Sequence, residues 1–148
     1  MLKNSLYIIK PFFTNKAKEL TKSPVCYFKD LGLKNYASGE FGNVNDFSFL
    51  FQNFVYINLY YLSKKYNFSI HYWRTKDKAE FDFILRKGID YIPIEVKYTN
   101  LKKFKITKAL RSFIQMYQPK EAIVVNSLSK HKEKLDKTKV KIIPFYEI

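Results

Sequence analysis

Three short strand-like segments follow one another closely in the second half of the chain. They span residues 69–74, 80–86 and 91–98, and Lys87 and Gly88 begin the turn between the last two. Neighbouring parallel strands need a long crossover connection, whereas antiparallel strands can be joined by a tight turn. The short links therefore predict an antiparallel three-stranded meander.

A long helix and a second helix are predicted on either side of this meander. Residues 47–66 contain no glycine or proline and repeat apolar side chains at three- and four-residue steps. This spacing predicts a helix that Asp46 or Ser48 caps and that Asn67 ends. The same spacing predicts a helix over 101–118, which Pro119 ends.

The remaining apolar runs complete an α/β arrangement. The sequence predicts strands over 6–13, with Pro11 at its end, over 121–127 and over 140–148, with a loop at 34–46 and a lysine-rich connection at 130–139. The continuous apolar run at 121–127 favours a buried, parallel strand. The order from residue 47 onward, α-β-β-β-α-β-β, predicts an α/β sandwich.

The charge of the chain favours a polyanionic partner. The net charge is +14 over 148 residues, and residues 97–148 alone contain 13 basic and 4 acidic side chains. Such an excess favours nucleic acid or an anionic surface, although a lysine-rich soluble surface is the alternative. The nucleic-acid-binding residues predicted on the second helix are Lys102, Lys103, Lys105 and Lys108.

Other classes of protein are disfavoured by composition. One cysteine, Cys26, excludes an intramolecular disulfide and a cysteine-based zinc site. No apolar stretch approaches the roughly 18 residues that a membrane-spanning helix needs, and the first residues do not resemble a secretory signal. We therefore expect a cytoplasmic protein without membrane association.

Two strands of the meander present a candidate catalytic cluster. Alternation in a strand places Phe81, Phe83 and Leu85 on one face and Glu80, Asp82 and Ile84 on the other. In the next strand, Glu95 and Lys97 share a face. Asp82, Glu95 and Lys97 are thus expected at one spot. Two carboxylates suit a hard divalent cation, and a lysine can orient or deprotonate a water or offset phosphate charge.

The alternative for these residues is an ordinary solvated sheet face. Antiparallel neighbours commonly place acidic and basic side chains opposite each other as ion pairs. The spacing of Asp82, Glu95 and Lys97 by itself does not separate the two interpretations.

The sequence resembles a known family over a longer stretch. Asp82 followed by Glu95-Val96-Lys97 resembles the D…(D/E)-x-K pattern of the restriction-endonuclease-like superfamily. Four segments resemble, in combination, the nuclease-like C-terminal domain of unknown function that follows the ATPase domain in prokaryotic AAA+ proteins. They are YFKDLGLKN (27–35), FQNFVYINL (51–59), HYWRTKDKAEFDFILRKG (71–88) and IPIEVKYT (92–99).

The resemblance implies a fold and a set of roles. It implies a restriction-endonuclease-like core, α-β-β-β-α-β, with a central mixed sheet flanked by helices. It also implies Mg²⁺ or Mn²⁺ held by Asp82, Glu95 and the backbone carbonyl of Val96, with Lys97 as the catalytic lysine. The supporting residues that it implies are Glu80, Arg74, which would balance the acids, and Gln52.

Gln52 is a departure from the family pattern and leaves two functions open. Relatives usually have a glutamate there, and a neutral amide is a weaker ligand for a divalent cation. The first function is a Mg-dependent nuclease-like DNA-binding domain that hydrolyses phosphodiester bonds. The second is a catalytically decayed nucleic-acid-binding or regulatory module. A Holliday-junction-resolvase-like nuclease is a third interpretation, which the segments at 27–35 and 71–74 disfavour.

The resemblance also predicts the domain organisation. Residues 1–24 resemble the junction after a winged-helix and ATPase region, and residues 25–148 form the nuclease-like domain. The 148 residues contain no phosphate-binding glycine-lysine motif, so the ATPase domain expected as a partner is missing from this chain. The oligomeric state is left open.

Overall fold

The computed structural model describes residues 5–12, 23–44, 46–74, 80–101 and 105–148. In these residues the chain forms an eight-stranded mixed sheet and three helices, with a final 3₁₀ turn at Phe145–Glu147. The helices are α1 (Leu31–Ala37), α2 (Phe47–Tyr66) and α3 (Lys108–Tyr117). The strands are β1 (Leu6–Pro11), β2 (Val25–Phe28), β3 (Ser69–Arg74), β4 (Glu80–Lys87), β5 (Asp90–Val96), β6 (Glu121–Asn126), β7 (His131–Leu135) and β8 (Thr138–Pro144).

The sheet has the order β2-β1-β3-β4-β5-β6-β8-β7. Strands β3, β4 and β5 pair antiparallel, which confirms the predicted meander. The β5–β6 and β6–β8 pairs are parallel, as the buried apolar run in β6 favours. The first strand, β1, pairs antiparallel with β2 and parallel with β3, so residues 6–11 are part of the same sheet.

Two hydrophobic cores lie on the two faces of the sheet. Val124 and Val125 are consecutive in β6 but belong to different core clusters, because successive side chains of a strand point to opposite faces. The Val124 cluster contains the buried apolar side chains of α3, and the Val125 cluster contains those of α2. The sheet is therefore flanked by α3 on one face and α2 on the other. None of the described helices is long and apolar enough to cross a membrane.

The ends of α2 lie where the sequence predicts them. The Asp46 carboxylate accepts a hydrogen bond from the Phe49 backbone N–H at 3.0 Å, which satisfies one of the unpaired donors at a helix start. Asn67 ends the helix in the left-handed region, with φ of 54°.

Four predicted elements are corrected by the structure. The strand predicted over 140–148 ends at Pro144, and a 3₁₀ turn follows it at Phe145–Glu147. Within the described residues, the helix predicted over 101–118 begins at Lys108, because Thr107 has an extended backbone and its hydroxyl accepts from the Leu110 N–H at 3.2 Å. Residues 102–104 of that prediction lie outside the described residues. The loop predicted at 34–46 begins only after α1, which Asp30 caps. The connection predicted at 130–139 contains strand β7, which forms a hairpin with β8.

The face alternation predicted for β4 is also wrong, because the strand contains a bulge. Trp73 pairs with Phe81, whereas His71 pairs with Ile84, so β4 has one extra residue in this interval. As a result Phe81 and Ile84 pack on the α3 face, and Phe83 packs on the α2 face. Asp82 lies within the bulge.

Candidate active site

The Asp82 carboxylate lies between strand β5 and helix α2. Its Oδ2 accepts a hydrogen bond from the Val96 backbone N–H at 2.7 Å, and its Oδ1 accepts one from Gln52 Nε2 at 2.7 Å. The bulge in β4 breaks the strand alternation at this residue, and bulges often re-aim a side chain next to a functional site.

Glu95 and Lys97 lie one strand away, at the carboxyl end of β5. Glu95 is buried, with its Oε1 at 2.9 Å from Lys97 Nζ, and its Oε2 accepts a hydrogen bond from the Thr107 hydroxyl at 2.9 Å. Thr107 is also the N-cap of α3, so the start of that helix is fixed against the acid. The Lys97 side chain is 43% exposed, whereas the Glu95 side chain is only 8% exposed.

Gln52 connects α2 to the acids. Its Nε2 also donates to the Tyr27 hydroxyl at 3.0 Å, so both protons of the amide nitrogen are used. The next residue, Asn53, is fully buried and bonds both backbone groups of Phe28, with Phe28 N–H to Oδ1 at 2.7 Å and Nδ2 to Phe28 O at 2.8 Å. Helix α2 therefore ties strand β2 to the site.

Burial controls the protonation of the cluster. Desolvation raises the pKa of Asp82 from 3.8 to about 6, with a further rise from Glu95 and partial offsets from the Val96 N–H and Lys97. The pKa of Lys97 is raised: burial acts to lower it, but the hydrogen bond and charge of Glu95 outweigh burial. Burial, with the nearby Asp82 charge, also raises the pKa of Tyr27. The Lys97 side chain therefore remains protonated and positively charged at neutral pH.

The candidate site offers a small number of oxygen atoms that could bind a hard cation. In the described part of the chain, no three histidine, cysteine or acidic side chains cluster as a metal centre. Two carboxylates are present, each oxygen accepting one hydrogen bond and keeping a second lone pair. Rotation of the Gln52 amide would replace its nitrogen by its oxygen, because the two ends of an amide are nearly equal in shape. These residues fit one hard divalent cation.

The supporting residues Glu80 and Arg74 form an ion pair with each other at the start of β4. Arg74 Nε donates to Glu80 Oε2 at 2.7 Å, and the guanidinium Nη2 lies at 2.6 Å from the same oxygen. Both side chains are more than half exposed, so this pair adds little stability. Glu80 nevertheless contributes to the raised pKa of Asp82.

The predicted nucleic-acid-binding lysines are only partly described. Lys102 and Lys103 lie outside the described residues. Lys105 and Lys108 are exposed, with Lys108 at the first position of α3 rather than in its interior.

The sequence interpretation missed two residues of the site. Thr107 is the kind of residue that caps a helix, and its position three residues before the buried Leu110 is a usable signal. Tyr27 comes from a distant strand and has no local signal, although its ring stacks on Tyr56 of α2 at 4.6 Å between centroids.

The fold and the site define a mixed α/β domain with two carboxylates and a lysine near the bulge in β4, the middle strand of the meander. The model of a family described as "Domain of unknown function (DUF4143)" matches residues 47–148, which is more than half of the chain. The chain belongs to this family. The matched range does not include β1, β2 and α1. The first of the four segments that resemble the AAA+-associated family, 27–35, lies in this unmatched part.

Comparisons with curated proteins and with solved structures give weaker similarities than the family model. No curated protein matches the chain. Among solved structures, the chain is similar to one in the "Refined half-complex from tetradecameric assembly of Thermococcus gammatolerans McrB AAA+ hexamers with bound McrC". The identity is 15% and the TM-score 0.49, and the match covers 67% of this chain and 28% of that chain.

Proposed function

We propose that the chain is a nuclease-like DNA-binding domain with a restriction-endonuclease-like core and a Mg²⁺- or Mn²⁺-dependent centre. The observation that supports it most is the cluster of Asp82, Glu95 and Lys97, which come from two strands and lie within electrostatic reach of each other. The succession α2, β3, β4, β5, α3, β6 agrees with that core. From the family resemblance we further propose that the partner of this domain is an AAA+ ATPase, either as part of the same polypeptide or as a separate protein.

Each residue of the cluster has a separate proposed role. A bound divalent cation would polarise the phosphodiester and lower the pKa of an attacking water. Asp82 and Glu95 would hold that cation, and the Val96 carbonyl would complete the ligands. Lys97 is kept protonated by Glu95 and is partly exposed, so it suits a donor to a phosphate oxygen that gains charge rather than a base.

A second function, a decayed nucleic-acid-binding module, is favoured by a different observation. Without a cation, each oxygen of Asp82 and Glu95 already has a protein partner, and Gln52 uses both amide protons. The Gln52 amide thus occupies the position in which relatives have an acid, and it removes the repulsion that a third carboxylate would add.

A cleavage assay separates the two functions. Supercoiled plasmid and a four-way junction would be incubated with magnesium, manganese or EDTA, using the wild type, Lys97→Gln and, as control, Lys87→Gln at the exposed end of β4. The nuclease function predicts cleavage that needs a divalent ion and that falls at least about 100-fold in Lys97→Gln but not in Lys87→Gln. Cleavage that survives EDTA or Lys97→Gln contradicts it. Salt-dependent DNA binding without cleavage supports the decayed module. If the wild type neither binds nor cleaves DNA, the proposal as a whole is contradicted.

A further inference from the structure

The hairpin of β7 and β8 separates its charges by face. In the pairing register Lys132 lies opposite Lys141, and Lys134 lies opposite Lys139. Directly paired residues point to the same side of a sheet, so these four lysines form one continuous surface, which we call the lysine face. Glu133 alternates with them in β7 and therefore points to the other side.

The lysine face lies on the same side of the sheet as α2. Lys141 pairs with Ile123 of β6, which pairs with Ile94 of β5, and the two isoleucines pack in the core under α2. Two strand spacings separate Lys141 from Ile94, which is about 10 Å. Glu95 follows Ile94 and points to the opposite face, with Val124 and α3, whereas Asp82 is bound by Gln52 of α2. The lysine face therefore lies on the side of the sheet from which Gln52 reaches Asp82.

These lysines are poorly neutralised. Lys141 pairs with Glu121 at 2.9 Å, and Glu121 also lies directly opposite Lys139 in the pairing of β6 with β8, so it is the acidic residue of this face. Lys132, Lys134 and Lys139 are exposed, and no acidic side chain of the described residues forms an ion pair with them. Like charges placed directly opposite each other destabilise a sheet. The arrangement therefore works against the stability of the free domain, and a polyanion would relieve the repulsion.

Protection of an exposed sheet edge explains only part of this pattern. Lysines on an edge strand discourage pairing with another chain, and β7 is the edge strand. Strand β8 is an interior strand between β6 and β7, so edge protection gives no reason for Lys139, whereas Lys141 has its ion pair with Glu121. Binding of an extended polyanion accounts for Lys132 and Lys134 on the edge strand and for Lys139 on the interior strand.

We propose that the lysine face binds the phosphate backbone of a nucleic-acid duplex along the α2 side of the sheet, the side from which Gln52 reaches Asp82. This inference rests on the proposed function and places its main binding surface on β7 and β8, apart from the lysines predicted around α3.

Salt-dependent binding tests the inference directly. Duplex DNA binding would be followed by fluorescence anisotropy in EDTA between about 50 and 200 mM salt. The variant Lys132→Gln/Lys134→Gln/Lys139→Gln keeps the Lys141–Glu121 pair. The control, Lys29→Gln/Lys64→Gln/Lys65→Gln, removes three exposed lysines from other surfaces.

The lysine-face variant should show a log–log salt slope that is shallower by about 2.7, since each neutralised phosphate contributes about 0.9. The control should keep a slope near that of the wild type, and the melting temperature of the lysine-face variant should not fall, because repulsion is removed. Equal slopes in the two variants overturn the inference.

Two alternatives have their own outcomes. Self-association of the lysine-face variant in light scattering, with an unchanged DNA slope, assigns the lysines to edge protection and overturns the inference. Loss of binding to anionic vesicles, with an unchanged DNA slope, assigns them to a membrane surface and also overturns it. Absence of duplex binding by the wild type contradicts the proposed function as well, whereas steep wild-type binding that ignores the lysine face contradicts this inference alone.

Discussion

Removing the charge of Asp82 should stabilise the metal-free domain at neutral pH. Burial raises the pKa of this carboxyl from 3.8 to about 6, so the folded domain favours the protonated form. In Asp82→Asn the amide oxygen can still accept from the Val96 N–H, and a rotated Gln52 amide can accept from the new nitrogen. The variant thus keeps the hydrogen bonds and loses the buried charge.

The magnitude follows from the linkage between protonation and folding. Between pH about 4 and 6 the unfolded chain has lost the Asp82 proton while the folded domain retains it, so stability falls as the pH rises. A difference of about 2 pKa units at about 1.4 kcal/mol each gives a loss of up to about 3 kcal/mol, which is complete above pH 6. Asp82→Asn should therefore exceed the wild type by up to about 3 kcal/mol at pH 7.

Urea unfolding in EDTA from pH 4 to 8 measures this difference. The free energy of unfolding of the wild type should fall by more than that of Asp82→Asn across pH 4 to 6, and the two should be parallel above it. Asp90→Asn serves as control, because Asp90 is exposed and pairs only with the exposed Lys120 among the described residues. An Asp82→Asn domain that is less stable than the wild type at pH 7 would refute the role assigned to burial.

Three further substitutions test how the site is held together. Gln52→Glu should lower the metal-free free energy of unfolding by about 1.5–3 kcal/mol at pH 7, since it replaces a donor to a carboxylate by an anion, and it should enlarge the manganese-induced rise in melting temperature. The control is Gln115→Glu at an exposed position of α3, and an equal response of both variants to manganese would contradict the placement of Gln52 in the site. Thr107→Val should cost about 1–2 kcal/mol in urea unfolding, because it removes the α3 cap and a partner of Glu95, whereas Thr107→Ser should retain the stability. Asn53→Ala should cost about 2–4 kcal/mol by the same measurement, because two backbone groups of β2 lose their buried partner; a loss below 1 kcal/mol would show that β2 is held by other contacts.

The elements that the sequence predicts well are those with local start and stop signals. Helix α2 lies between Asp46 and Asn67 because a cap and a left-handed end residue act within a few positions of the chain. The meander follows from link length, which limits pairing to antiparallel neighbours.

The elements that the sequence misses depend on partners elsewhere in the fold. Apolar spacing predicts helix before residue 108, but among the described residues 105–107 the Thr107 hydroxyl binds both Leu110 N–H and Glu95, which fixes the start of α3 at Lys108. Strand β7 has one apolar residue, Leu135, and its pairing with β8 decides its structure. Such contacts leave no periodic pattern in the chain.

The candidate site was predictable in its members more than in its geometry. The sequence predicts Asp82, Glu95 and Lys97 as neighbours; in the structure Glu95 pairs with Lys97 at 2.9 Å, and both are close enough to Asp82 for their charges to act on its pKa. Strict alternation, however, would place Asp82 on the wrong face, because the extra residue in β4 appears only in the pairing with β3. The Tyr27 contact to Gln52 likewise requires the sheet to form first.

The central claim is that Asp82 and Glu95 together bind one divalent cation. Thermal unfolding with increasing manganese tests it in the wild type, Asp82→Asn and Glu95→Gln, because a ligand that binds only the folded state stabilises it by about 2.7 kcal/mol at 100 times its dissociation constant. Our account predicts a melting temperature that rises with manganese in the wild type and stays constant in both variants. The same rise in Asp82→Asn as in the wild type would contradict it.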